Sequence, residues 1–109
     1  MDTNKEFFAL KSLHEPAVLL TEGGNPLVLL PNFPFKVGDK DMRMDLLLHP
    51  ASHSGYVTRL FFKEVVDGKG QNWTQHQVIG RAWRAPSWKE VRAEQSWPAM
   101  LCAHLRVLI

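Results

Sequence analysis

One stretch constrains this chain more than any other. From Met42 to Leu48, the residues Met42, Met44, Leu46 and Leu48 alternate with Arg43, Asp45 and Leu47. Successive side chains of an extended strand point to opposite faces, so this period of two predicts a strand with one buried face. His49-Pro50 ends it. A second strand is predicted over Tyr56–Val66, with Tyr56, Thr58, Leu60 and Phe62 on one face and Val57, Arg59 and Phe61 on the other. Upstream, the apolar runs Ala17–Thr21 and Leu27–Leu30 flank Glu22-Gly23-Gly24-Asn25-Pro26 and predict a hairpin. Pro31, Pro34 and Gly38 predict a short irregular link to the strand that follows.

The clearest helical pattern lies near the end of the sequence. Ser96 suits an N-cap and Pro98 the first turn. At 100° per residue Trp97, Met100, Leu101, His104, Leu105 and Leu108 share a face, with Arg106 opposite and Cys102 on the flank. Over Asn4–His14 two readings stand: a short helix capped by Asn4 with Phe7, Leu10 and His14 on one side, or a strand. Asp67-Gly68-Lys69-Gly70 predicts a turn, and Gln71–Glu94, holding Trp73, Trp83 and Trp88, shows no regular period. The expectation is an α+β domain: an antiparallel meander, a long irregular loop and a docking helix.

The 109 residues suit one domain, taken as 1–109, and are too few for two. A hydrophobic fraction of 45% with 22% charged residues is that of a globular chain, not a disordered tail. The net charge of +2 is too small to imply nucleic acid by itself. The single cysteine, Cys102, cannot form an internal disulfide. No apolar run approaches the ~20 residues of a membrane helix, and the first residues lack the pattern of a signal peptide. The expected location is cytoplasmic, with no membrane partner.

Familiar chemical motifs are few. There is no phosphate loop, GxGxxG or pair of cysteines. His49 and His53 stand four apart, but around Pro50 rather than on a helix, and no cysteine stands near to complete a zinc site. No metal or cofactor is expected. Arg81, Arg84, Lys89 and Arg92 interleave with Trp83 and Trp88, which is the composition of a single-strand platform. The near-neutral total charge and the absence of a known motif argue against nucleic acid.

The order of the remaining features carries a resemblance. His49-Pro50 and Gly55-Tyr56-Val57-Thr58-Arg59-Leu60-Phe61-Phe62 come first. Asn72-Trp73-Thr74 with His76, Gly80-Arg81-Ala82-Trp83, Ser87-Trp88, Trp97-Pro98 and His104-Leu105 follow. Over roughly residues 17–109 this order resembles the ubiquitin-conjugating (UBC) fold, and more closely the divergent bacterial UBC-like proteins encoded beside a ubiquitin-like protein, an activating enzyme and a peptidase. The resemblance implies a minimal UBC-like fold with a four-stranded meander, a long active-site loop and a helix. It also implies a transferase that accepts a ubiquitin-like protein from an ATP-dependent activating enzyme and passes it to an amine on a target protein. The usual loop cysteine is absent, the Tyr-Pro-Phe element survives only as Gly55-Tyr56-Val57, and no asparagine follows His76 at the expected place.

Two nucleophiles compete for that role. Ser87 stands eleven residues after His76 and ten before Trp97-Pro98. The resemblance makes it the acceptor of an oxyester, with His76 as base or oxyanion stabiliser and His104, Trp88, Trp97 and Pro98 in support. The plainer reading makes Ser87 the cap of a short helix over Trp88–Glu94, with Glu90 completing a capping box. Cys102 has the better chemistry and the worse position, on the last helix with no adjacent base. A non-catalytic UBC-like adaptor that binds the ubiquitin-like protein or the activating enzyme is the alternative to catalysis.

Overall fold

A computed structural model describes residues 2–53, 55–66, 68, 72–87 and 91–108, with the side chain of 107 outside the description. The chain opens with helix α1, Thr3–Leu13. Asp2, not Asn4, is its cap: the Asp2 carboxylate accepts the N–H groups of Asn4 and Lys5, satisfying two donors that a helix start leaves bare. The helical reading of this stretch therefore holds, with its cap two residues earlier.

Among the described residues six strands follow: β1 Val18–Glu22, β2 Asn25–Val37, β3 Lys40–His49, β4 Arg59–Phe62, β5 Thr74–Val78 and β6 Arg81–Ala85. They form one sheet in the order β1-β2-β3-β4-β6-β5, and every pairing is antiparallel. Helix α2, Trp97–Leu105, and a 3₁₀ turn over Arg106–Leu108 complete the α+β architecture. Ser96 Oγ accepts from Ala99 N–H at the start of α2, as expected for the cap, and Pro98 sits in the first turn.

Two expected irregular stretches are ordered strands. Residues 31–38 are not a link, because β2 runs through Pro31 and Pro34 as far as Val37. β1 flanks β2 only as far as Leu29, so both prolines lie where β2 is an edge and needs no donor on that side. Between Leu30 and Phe33, β2 places Pro31 and Asn32 against Asp45 alone, which is a β-bulge. Asn32 takes the left-handed conformation there (φ 49°), and its N–H donates to Asp45 Oδ1 at 2.8 Å. Within 71–94 the chain forms the β5–β6 hairpin, turned by Ile79-Gly80 between Val78 and Arg81. The strand expected over Tyr56–Val66 is shorter, Arg59–Phe62. Of the turn expected at 67–70, only Gly68 lies among the described residues, and it has a positive φ of 74°.

The sheet is buried on both faces, not one. Val28, Leu30, Met44, Leu46, Leu48, Leu60 and Phe62 face the helices and pack with Leu10, Trp97, Met100, Leu101 and Leu108. On the opposite face Leu27, Leu47 and Phe61 pack with Val78, Trp83 and Ala85 from the β5–β6 hairpin. β6 meets β4 in register at a single pair, Phe62 with Arg84. Beyond it the hairpin bends back across that second face. Arg81 reaches Asp45 of β3 at 3.5 Å, and the Ile79 N–H donates to Glu22 of β1 at 2.6 Å. Leu105, expected to be buried with the rest of the α2 face, is only half-buried.

Candidate functional site

The folded-back hairpin brings together residues that are far apart in sequence. His49 ends β3 and stands opposite Arg59, the first residue of β4, on the face that also carries Phe61. β5 supplies Thr74 and His76. The connection between β3 and β4 supplies His53 and Tyr56, which exchange two backbone hydrogen bonds of 2.8 and 2.9 Å. His49, His53 and His76 surround the Phe61 ring, with centroid separations of 6.2, 5.1 and 5.5 Å. His53 lies 5.2 Å from His49 and 5.3 Å from His76, ring to ring.

Arg59 lies in the middle of this group and is only 3% exposed. Its guanidinium rests on the Tyr56 ring at 4.0 Å, a cation–π contact, and Nη2 donates a long bond of 3.4 Å to Thr74 Oγ1. Thr74 Oγ1 is also 2.7 Å from His76 Nε2. Burial lowers the pKa of His53 and of His76, and the Arg59 charge pushes both further down. For His53 the neighbouring His49 acts in the same direction, and the Glu22 charge opposes. His49 donates Nδ1–H to the Ala51 carbonyl at 2.6 Å, which fixes its ring. Among the described residues no group of three or more His, Cys, Asp or Glu side chains is arranged to hold a metal ion, so the cluster is cationic and aromatic rather than chelating.

The expected acceptor and base are not brought together. Ser87 Oγ donates to the Asn72 carbonyl at 3.2 Å. His76 is paired with Trp83 and its Nε2 meets Thr74 Oγ1 at 2.7 Å, while Ser87 lies two residues past the end of β6. Proton transfer needs roughly 3 Å, or one bridging water. Of the helix in the capping alternative, Trp88–Glu94, residues 91–94 are not helical, and residues 88–90, Glu90 among them, lie outside the described residues. Trp88 lies outside them as well.

The remaining expected site residues are structural in their contacts. His104 is 5% exposed, its Nε2 is 2.9 Å from Thr58 Oγ1, and burial, aided by Arg59, lowers its pKa to about 4. Trp97 is buried against the helix-side core, and its backbone N–H donates to Glu6 Oε1 at 2.8 Å. Pro98 is half-buried at the start of α2. Cys102 is exposed on α2. Trp83, counted toward a single-strand platform, is 1% exposed and its indole N–H donates to the Val78 carbonyl, so it offers no face for a base to stack on.

Arg59 is the residue at the centre of this cluster that sequence reasoning did not single out as a candidate. The signal was present: an arginine two residues before Phe61, on the same face of a strand. The chain matches no protein-family model, and comparison with curated proteins and with solved structures finds no similar protein.

Proposed function

We propose that this chain is a UBC-like domain that binds a ubiquitin-like protein without carrying it covalently. The observation that carries the reading is the element order. Four consecutive strands, β1 to β4, form an antiparallel meander, and the helix that opens with Trp97-Pro98 packs on one face. That is the order of parts the resemblance leads one to expect. The departure lies between β4 and α2, where an ordered hairpin occupies the place of a long active-site loop. Ser87 Oγ donates to the Asn72 carbonyl and His76 Nε2 meets Thr74 Oγ1, so neither hydrogen bond joins a nucleophile to a base. This favours binding over chemistry within the same family.

One observation favours the covalent reading. Ser87 is half-buried, not buried, and stands two residues after the end of β6, which leaves its hydroxyl partly exposed to an activated carbonyl. The two readings part in one experiment. The chain is mixed with the ubiquitin-like protein, its activating enzyme and ATP. Binding predicts a complex by size exclusion or calorimetry and no adduct on a denaturing gel. An adduct that resists thiol, yields to hydroxylamine and disappears in Ser87→Ala would replace binding with oxyester transfer. Neither complex nor adduct would remove the UBC-like reading altogether.

A further inference from the structure

We infer that Arg59, with His53, Thr74 and His76 around it, forms a binding site for a single carboxylate group. The inference is independent of the ubiquitin-like reading.

It starts from two unpartnered atoms. Among the described residues, the buried side-chain nitrogen or oxygen atoms that lack a hydrogen-bond partner are His53 Nδ1 and Arg59 Nε, and both belong to this one cluster. Buried polar atoms in folded chains are nearly always paired, so two orphans in one place call for a group that is not part of the chain. The case is stronger for Arg59 because it is charged. A buried cation is tolerated when an anion neutralises it. No carboxylate forms an ion pair with Arg59 among the described residues. Its described contacts are the Tyr56 ring and the long bond to Thr74.

The chemistry of the unpaired edge selects the ligand. Tyr56 covers one face of the guanidinium, so the planar edge that carries Nε is the part left to bind. A guanidinium edge offers parallel N–H groups that match the two oxygens of a carboxylate. Charge points the same way. Among the described residues the titratable groups facing the site are Arg59 on β4, His49 at the end of β3, His53 and Tyr56 in the connection, and His76 on β5. Glu22 on β1 acts on His53 from a distance, and its carboxylate already accepts the Ile79 N–H. With His53 and His76 shifted toward their neutral forms, Arg59 carries most of the positive charge among the described residues of the cluster, which suits a monoanion better than a dianionic phosphate. Nε and His53 Nδ1 are themselves covered, so a ligand enters by side-chain movement at the exposed Thr74 and the half-exposed His53 and His76.

Histidine ring signals in NMR report on the site directly. Acetate is titrated at constant ionic strength against chloride. The result expected is a saturable shift of the His53 and His76 signals with a rise in both pKa values, because a bound anion favours the imidazolium, while His14 near Phe33 does not respond. Arg59→Met should weaken acetate binding at least tenfold. If that variant does not fold, Thr74→Val and His53→Asn replace it, each expected to weaken binding several-fold. N-acetylglycine and the α-amide of N-acetylglutamate then separate a chain terminus from an acidic side chain as the source of the carboxylate. Shifts no larger than those from chloride, tighter binding of inorganic phosphate, or binding that survives in a folded Arg59→Met chain would each overturn the assignment.

Discussion

Single side chains carry the polar strain of this fold, and His104 is the most heavily loaded. Its pKa in the folded chain is about 4, against 6.5 for an ordinary histidine, because burial and then the Arg59 charge oppose protonation. Between those values the unfolded chain binds a proton that the folded chain refuses. Stability is therefore fully present above about pH 6.5 and falls as pH drops toward 4, by on the order of 3 kcal/mol. The downward shifts at His53 and His76 act with the same sign. Urea midpoints at pH 7 and pH 4.5 test this: the loss between them should shrink in His104→Gln, and an unchanged loss would mean that His104 is not the group responsible. Thr58→Val should cost about 1–3 kcal/mol at pH 7, since it leaves the His104 nitrogen without its hydroxyl. Ile79 is strained in a different way. It holds φ 47° at the first position of a two-residue turn, where a β-branched side chain fits poorly and Asn or Gly fits well. Ile79→Asn should leave stability within about 1 kcal/mol of the parent, relief of the backbone offsetting the lost packing against the second core. A much larger loss would mean that packing, not backbone preference, chose isoleucine.

At the scale of elements, a few contacts decide how the parts dock. The Glu6 carboxylate of α1 accepts the backbone N–H of Trp97, tying the two helices together where α2 has a bare donor. Glu6→Ala should lower stability by about 1 kcal/mol and speed hydrogen exchange in the first turn of α2 more than in β3. Uniform change across both would deny the link. What could be read from sequence follows the strength of each element's pattern. β3 was legible from its alternation, the β1–β2 hairpin from Gly23-Gly24, and α2 from Ser96, Pro98 and its apolar stripe. The β5–β6 hairpin was not, because Thr74-Gln75-His76-Gln77 is polar on both faces and its turn is Ile79-Gly80 rather than Asn-Gly. The second half of β2 was hidden by Pro31 and Pro34, whose placement makes sense only once β1 is known to stop pairing at Leu29. The candidate site was half legible. His76 was singled out, but nothing local joins it to His53, Arg59 and Phe61, since the fold-back of the hairpin creates those contacts.

The molecule as a whole is a sheet with a core on each side, one sealed by helices and one by a hairpin. Leu101 belongs to the first core and Trp83 to the second. Leu101→Ala should cost about 2–5 kcal/mol and Trp83→Ala about 3–5 kcal/mol. With the sheet between them, the double variant should lose the sum to within about 0.5 kcal/mol. Coupling above 1 kcal/mol would show that the two cores yield as one. The helix-side core has a further consequence for a chain made from one end. It takes Leu10 from the first described helix and Trp97, Met100, Leu101 and Leu108 from the last, while the turn at Gly38 is tied to the Leu108 carbonyl. During synthesis the sheet and its folded-back hairpin are complete while one apolar face still lacks most of its cover, until α2 has left the ribosome. A released chain truncated just before Trp97 should therefore be the form most readily captured by a chaperone or cut by a protease, and extension through Leu108 should restore protection.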